Sequence, residues 1–65
     1  FTELDETQLM IVSKMRGLDE CTIEQLSAIT ALPVRLLSAH LTQMELSNVV
    51  AFSPGGKYRL NMAYR

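Results

Sequence analysis

Residues 22–46 read Thr22-Ile23-Glu24-Gln25-Leu26-Ser27-Ala28-Ile29-Thr30-Ala31-Leu32-Pro33-Val34-Arg35-Leu36-Leu37-Ser38-Ala39-His40-Leu41-Thr42-Gln43-Met44-Glu45-Leu46, and this stretch decides the fold. Thr22 and Gln25 have capping-box spacing: the threonine hydroxyl accepts from a free N–H of the first turn while the glutamine reaches back. A helix over 22–30 is therefore expected, with Ile23, Leu26 and Ile29 toward the core. Thr30-Ala31-Leu32 makes a tight link to Pro33, whose missing N–H suits the first turn of a helix. The next helix is expected over 33–46, because Val34, Leu37, Leu41 and Met44 recur at intervals of three, four and three and form one apolar stripe. Arg35, Ala39, Thr42 and Gln43 fall on roughly the opposite side, with Ser38 at its edge.

Upstream, Leu9, Val12 and Met15 recur at helical spacing with Ile11 beside them, which predicts a helix over 5–16. Asp5 and Glu6 suit its positive N-terminal end, and Gly17 is expected to stop it. Leu18 to Cys21 supplies a very short strand or an extended linker. Downstream, Asn48 stands where a left-handed residue often closes a helix, and Val49 to Phe52 is a dense β-favouring run. Ser53-Pro54-Gly55-Gly56 carries turn chemistry, and Lys57-Tyr58-Arg59-Leu60 alternates charged with apolar residues. A hairpin over 49–60 follows, with Tyr58 and Leu60 inward and Lys57 and Arg59 outward. Asn61 to Arg65 shows no pattern and reads as a tail. Three helices, the last two joined by a short turn, then a hairpin, is the order of a winged helix-turn-helix, mainly α with a small β-hairpin.

Bulk properties agree with one small domain over residues 1–65. A chain of 65 residues barely buries enough apolar surface to offset the entropy of ordering it, which leaves little for a catalytic cleft. Two Phe, two Tyr and no Trp leave the core to Leu, Ile, Val and Met. The single cysteine, Cys21, forms no internal disulfide, and no Cys/His cluster has metal-ligand spacing. A reducing, cytoplasmic setting is expected, with no membrane partner, since no apolar run approaches bilayer length. The first residue, Phe1, suggests a domain cut from a longer chain.

Net charge is −1, yet the charges are segregated. Residues 1–32 carry six acids against two bases, net −4, whereas 33–65 carry four bases against one acid, net +3. One end of the domain is thus expected to be mildly basic. Arg35, Thr42, Gln43, Lys57 and Arg59 are the candidate DNA-binding residues: arginine and lysine pair with phosphates, while Thr and Gln reach base edges from a helix in the major groove. The same residues also read as an ordinary solvated face. With two or three phosphate contacts, against six to ten in a strong binder, affinity should be weak and salt-sensitive. His40 beside the apolar stripe reads as a packed, hydrogen-bonded boundary residue, and Cys21 as a small buried hydrophobe. Met10, Met15, Met44 and Met62 read as core filler or surface positions, and no cofactor is implied. No general acid/base pair, nucleophile triad or phosphate-cradling loop is present, so no catalytic residue and no enzyme activity is expected.

The run from Thr22-Ile23-Glu24-Gln25-Leu26 through Leu32-Pro33-Val34, Leu36-Leu37, Leu41, Met44-Glu45-Leu46 and Val49-Val50 to Pro54-Gly55-Gly56-Lys57-Tyr58-Arg59 resembles the C-terminal winged-helix domain of DNA-processing protein A (DprA/Smf). The resemblance covers residues 6 to 60, and the Pro-Gly-Gly-basic-Tyr-Arg wing is its most specific element. It implies a parent that loads a recombinase onto incoming single-stranded DNA in natural transformation through a separate Rossmann-like domain. For this chain it implies an accessory role: weak, largely sequence-independent contact with duplex DNA beside the rest of the parent, and through the parent with the recombinase. The alternative is a protein-interaction or self-association module, motivated by the acidic first half; oligomeric state is left open. Alanine at 31 and asparagine at 48 stand where that family usually has glycine. Asparagine tolerates the left-handed conformation, but alanine is strained in it, so the turn at Ala31 is expected to be built differently.

Overall fold

Leu37, Leu41 and Met44 are at most 1% exposed in the computed structural model, which describes residues 4–65, and the other elements are arranged around them. They lie on α3 (Val34–Leu46), which is preceded by α1 (Glu6–Met15) and α2 (Ile23–Thr30) and followed by β1 (Val50–Phe52), β2 (Tyr58–Leu60) and a 3-10 turn, Met62–Tyr64. The described residues thus form three helices and a two-stranded antiparallel hairpin, a mainly helical winged-helix arrangement. The core consists of Ile11, Val12, Met15, Cys21, Leu26, Leu37, Leu41, Met44, Val49, Val50 and Leu60, with Leu4, Ile23, Leu32, Tyr58 and Tyr64 packed against it.

Each helix start has an identifiable cause. Asp5 caps α1 and Thr22 caps α2, each in a reciprocal box with the glutamine three residues on, Gln8 and Gln25. Pro33 is the N-cap of α3 rather than its first helical residue: its ψ of 147° is extended, and the helix proper begins at Val34. Pro33 still contributes its carbonyl, which accepts from Leu37 N–H at 3.0 Å. Gly17 does not end α1 through a left-handed turn. Arg16 closes the helix in right-handed geometry, and Leu18 N–H reaches back to the Met15 carbonyl.

The link between α2 and α3 corrects a sequence expectation. Ala31 adopts φ 62° and ψ 21°, the left-handed conformation itself, so alanine occupies the glycine-type turn instead of avoiding it. Neighbouring hydroxyls hold the turn closed: Ser27 Oγ donates to the Leu32 carbonyl at 2.6 Å, and Thr30 Oγ1 accepts from Leu32 N–H. Asn48 takes φ 62° as expected and hands α3 over to β1.

Each helix keeps most of its expected inward residues and turns one of them out. On α1 the buried face is Gln8, Ile11, Val12 and Met15, while Leu9 is 54% exposed. On α2 Leu26 is buried and Ile29 faces out, with Thr30 taking the inner position. The α3 stripe holds from Leu37 to Met44, but Val34 lies outside it. In the hairpin Val50 pairs with Leu60, Ala51 with Arg59 and Phe52 with Tyr58. Cys21 adds a single bridge to Tyr58, so the Leu18–Cys21 segment ends as a one-residue strand at the other edge of β2. The last five residues are not a loose tail: Asn61 N–H donates to the Val49 carbonyl, and Tyr64 packs on the core.

Candidate nucleic-acid interface

Lys57 and Arg59 alternate with the inward residues Tyr58 and Leu60, and both are exposed. The alternation follows from the period of a strand, which sends successive side chains to opposite faces. Register is fixed by the inward pair Val50 and Leu60 and by the Phe52–Tyr58 contact, whose ring centroids are 4.8 Å apart. Burial raises the Tyr58 phenol above its ordinary pKa, and the Glu45 carboxylate raises it further. The turn between the strands closes with Ser53 N–H on the Lys57 carbonyl at 2.8 Å and Gly56 N–H on the Ser53 carbonyl at 3.0 Å. Gly56 has φ 82°, where a side chain would be strained.

The α3 candidates separate in the structure. Arg35 and Thr42 are exposed, and Thr42 Oγ1 donates to the Ser38 carbonyl, which leaves its lone pairs as acceptors. Arg35 borders a shallow groove of about 440 Å³ with Pro33, Leu36 and Ala39, a predominantly apolar neighbourhood in which it is the lone cation. Lys57 and Arg59 do not line that groove.

Gln43 is differently placed. Its Oε1 accepts from Gln8 Nε2 at 3.2 Å, so its amide is engaged with α1. The same Gln8 amide nitrogen lies 3.4 Å from His40 Nδ1, and Asp5 Oδ2 is 3.9 Å from that ring nitrogen. His40 is thus the hydrogen-bonded boundary residue expected of it. Gln8, which the sequence reading did not single out, organises this cluster: its oxygen serves the Asp5 cap while its nitrogen meets α3. The available signal was its position at the third residue of a capped helix, in helical phase with Ile11 and Met15.

Cys21 is 1% exposed, and desolvation raises its thiol pKa, as expected for a buried hydrophobe and not for a nucleophile. Among the described residues no group of His, Cys, Asp and Glu is arranged to hold a metal, and no helix is long and apolar enough to cross a membrane.

Two capped helices, α1 and α2, packed with α3, and an antiparallel hairpin bearing outward cations define a winged-helix domain. The family model of the DprA winged helix domain matches residues 2–56, and the chain belongs to that family. No curated protein and no solved structure matches the chain.

Proposed function

We propose that this chain is a non-catalytic accessory domain at the C-terminus of a DprA-type DNA-processing protein, adding a weak, sequence-independent contact to duplex DNA during natural transformation and recombination. The observation that carries the reading is the outer face of the wing. Lys57 and Arg59 lie two residues apart on it, exposed and without an ion pair to any described carboxylate. Cations so placed meet a phosphate backbone without supporting the core, and they carry no base-specific information. Arg35 and Thr42 on α3 supply a second line of contact, and Gln43 can add its Nε2 donor while its Oε1 stays on Gln8.

The test is duplex titration followed by NMR at low and moderate salt. Changing Lys57 and Arg59 together to Ala should weaken binding about equally for all sequences and flatten its salt dependence, with the fold retained. A double variant that binds as its parent does, or a parent with no affinity at low salt, rejects the reading.

A second reading, protein contact, is favoured by one observation: the Pro33, Leu36 and Ala39 groove gives α3 an apolar outer surface, and Leu46 is 81% exposed on the same helix. Shifts confined to these residues on adding a protein of the same DNA-processing assembly, with none on the wing on adding DNA, would select it.

A further inference from the structure

Arg59 contributes to a second groove, on the side of the domain formed by β2 and the C-terminal turn. Its lining is Arg59, Leu60, Asn61, Met62 and Arg65, about 380 Å³ in volume, with two guanidinium groups and no carboxylate side chain. A third arginine is tied to the same turn: Arg16, at the end of α1, donates through Nε to the Tyr64 carbonyl at 3.0 Å. Arg65 in turn donates through Nε to the Leu60 carbonyl at 3.3 Å. In both residues the bond uses Nε, and the Nη groups make no hydrogen bond with any described residue.

The turn that carries Arg65 is built in. Asn61 bonds through its backbone N–H to the Val49 carbonyl at 3.0 Å and through its side-chain amide to the Asn48 carbonyl, and Tyr64 N–H donates to the Asn61 carbonyl at 2.9 Å. Tyr64 packs against the core. Arginines held by Nε to fixed carbonyls have already lost part of their rotamer freedom, so less is lost when the outer nitrogens engage a ligand. A guanidinium fork matches the paired oxygens of a phosphate, and Arg59 and Arg65 place two such forks on one groove whose lining has no acidic side chain, with Arg16 tied to the turn beside it.

We propose that Arg59, Arg65 and Arg16 form a phosphate-binding site at the junction of the wing and the C-terminal turn, and that its occupant is a backbone phosphodiester of duplex DNA. The inference rests on the duplex reading above and deepens it. It extends the phosphate contact of the wing from Arg59 to the C-terminal turn.

The experiment uses the 65-residue chain and two probes, a short duplex and inorganic phosphate, with the arginine Nε–H signals followed by NMR. Arg65→Ala should lower duplex affinity about tenfold near 50 mM salt and reduce the slope of log K against log salt by about one, which is the loss of one phosphate contact. Lys14→Ala, an equal loss of charge on an exposed position of α1, should change either quantity far less. Arg16→Lys keeps the charge but loses the Nε bond to Tyr64, and it should weaken binding by an intermediate factor with an unchanged melting temperature. Should Arg65→Ala perturb the fold, Arg65→Gln serves in its place. Duplex binding that falls equally in the Arg65 and Lys14 variants overturns the site while leaving the duplex reading intact. If the parent binds no duplex, that reading fails by itself. The phosphate titration then decides the site: shifts at Arg59 and Arg65 support a free-phosphate site, and unmoved signals overturn it.

Discussion

Replacing Ala31 by glycine should make this domain more stable, although the change removes a side chain and loosens the unfolded chain. Ala31 sits at φ 62° and ψ 21° and is exposed, so its methyl group contributes little burial. An L-residue in that region strains Cβ against its own carbonyl by roughly 1–2 kcal/mol. Glycine removes this strain and adds about 0.4–1 kcal/mol of unfolded-state entropy against the fold. The net gain is about 0.5–1 kcal/mol. For a domain of this size that corresponds to a rise of about 2–8 °C in melting temperature. The backbone bond from Ala31 N–H to the Ser27 carbonyl, 2.9 Å, is available to glycine as well, and the Ser27 and Thr30 hydroxyls still hold Leu32. Thermal unfolding followed by circular dichroism, with urea titration as a second measure, gives the answer. Ala31→Val provides the opposite sign, because a β-branched residue fits this region worst. A glycine variant that melts at or below the parent temperature would refute the left-handed turn as a source of strain.

Leu37→Ala should cost about 2–5 kcal/mol, since Leu37 is fully buried at the centre of the core; an unchanged urea midpoint would contradict its position. Gly56→Val should disturb the hairpin, seen as shifts confined to residues near the turn, because φ 82° is strained for any side chain, whereas Gly55→Ala should be tolerated with only Ser53 Oγ at 4.0 Å from the new methyl group. Burial raises the Cys21 thiol above its ordinary 9.0, so the folded state holds the proton more tightly than the unfolded one. This contribution to stability is complete below pH 9.0 and is lost as pH rises through the higher folded value; urea midpoints measured from pH 8 upward should fall, and Cys21→Ala should flatten that fall.

The sequence by itself determined the elements whose causes are local. The Thr22–Gln25 box, Pro33 before Val34, Asn48 and the Pro54-Gly55-Gly56 turn each act within a few residues, and the helix starts and the hairpin follow from them. The outward placement of Lys57 and Arg59 was equally legible, because a strand alternates with a period of two and Leu60 had to be inside. Only the tertiary structure decided which side of each helix is buried. In α1, Leu9, Met10, Ile11 and Val12 are four consecutive apolar residues, and a 3.6-residue period allows more than one inward face. The choice fell to Ile11, Val12 and Met15, with Gln8 inward because Gln43 and His40, more than thirty residues away, satisfy its amide. Ile29 and Val34 were turned outward in the same way, by where neighbouring helices leave room. The left-handed Ala31 opposes its own local preference, and the packing of α2 on α3 with two hydroxyl bonds to Leu32 overrides it. The C-terminal turn has no periodic signal at all. It exists because the carbonyls of Asn48 and Val49 and the Arg16 side chain at the end of α1 supply partners that become neighbours only when the chain has folded.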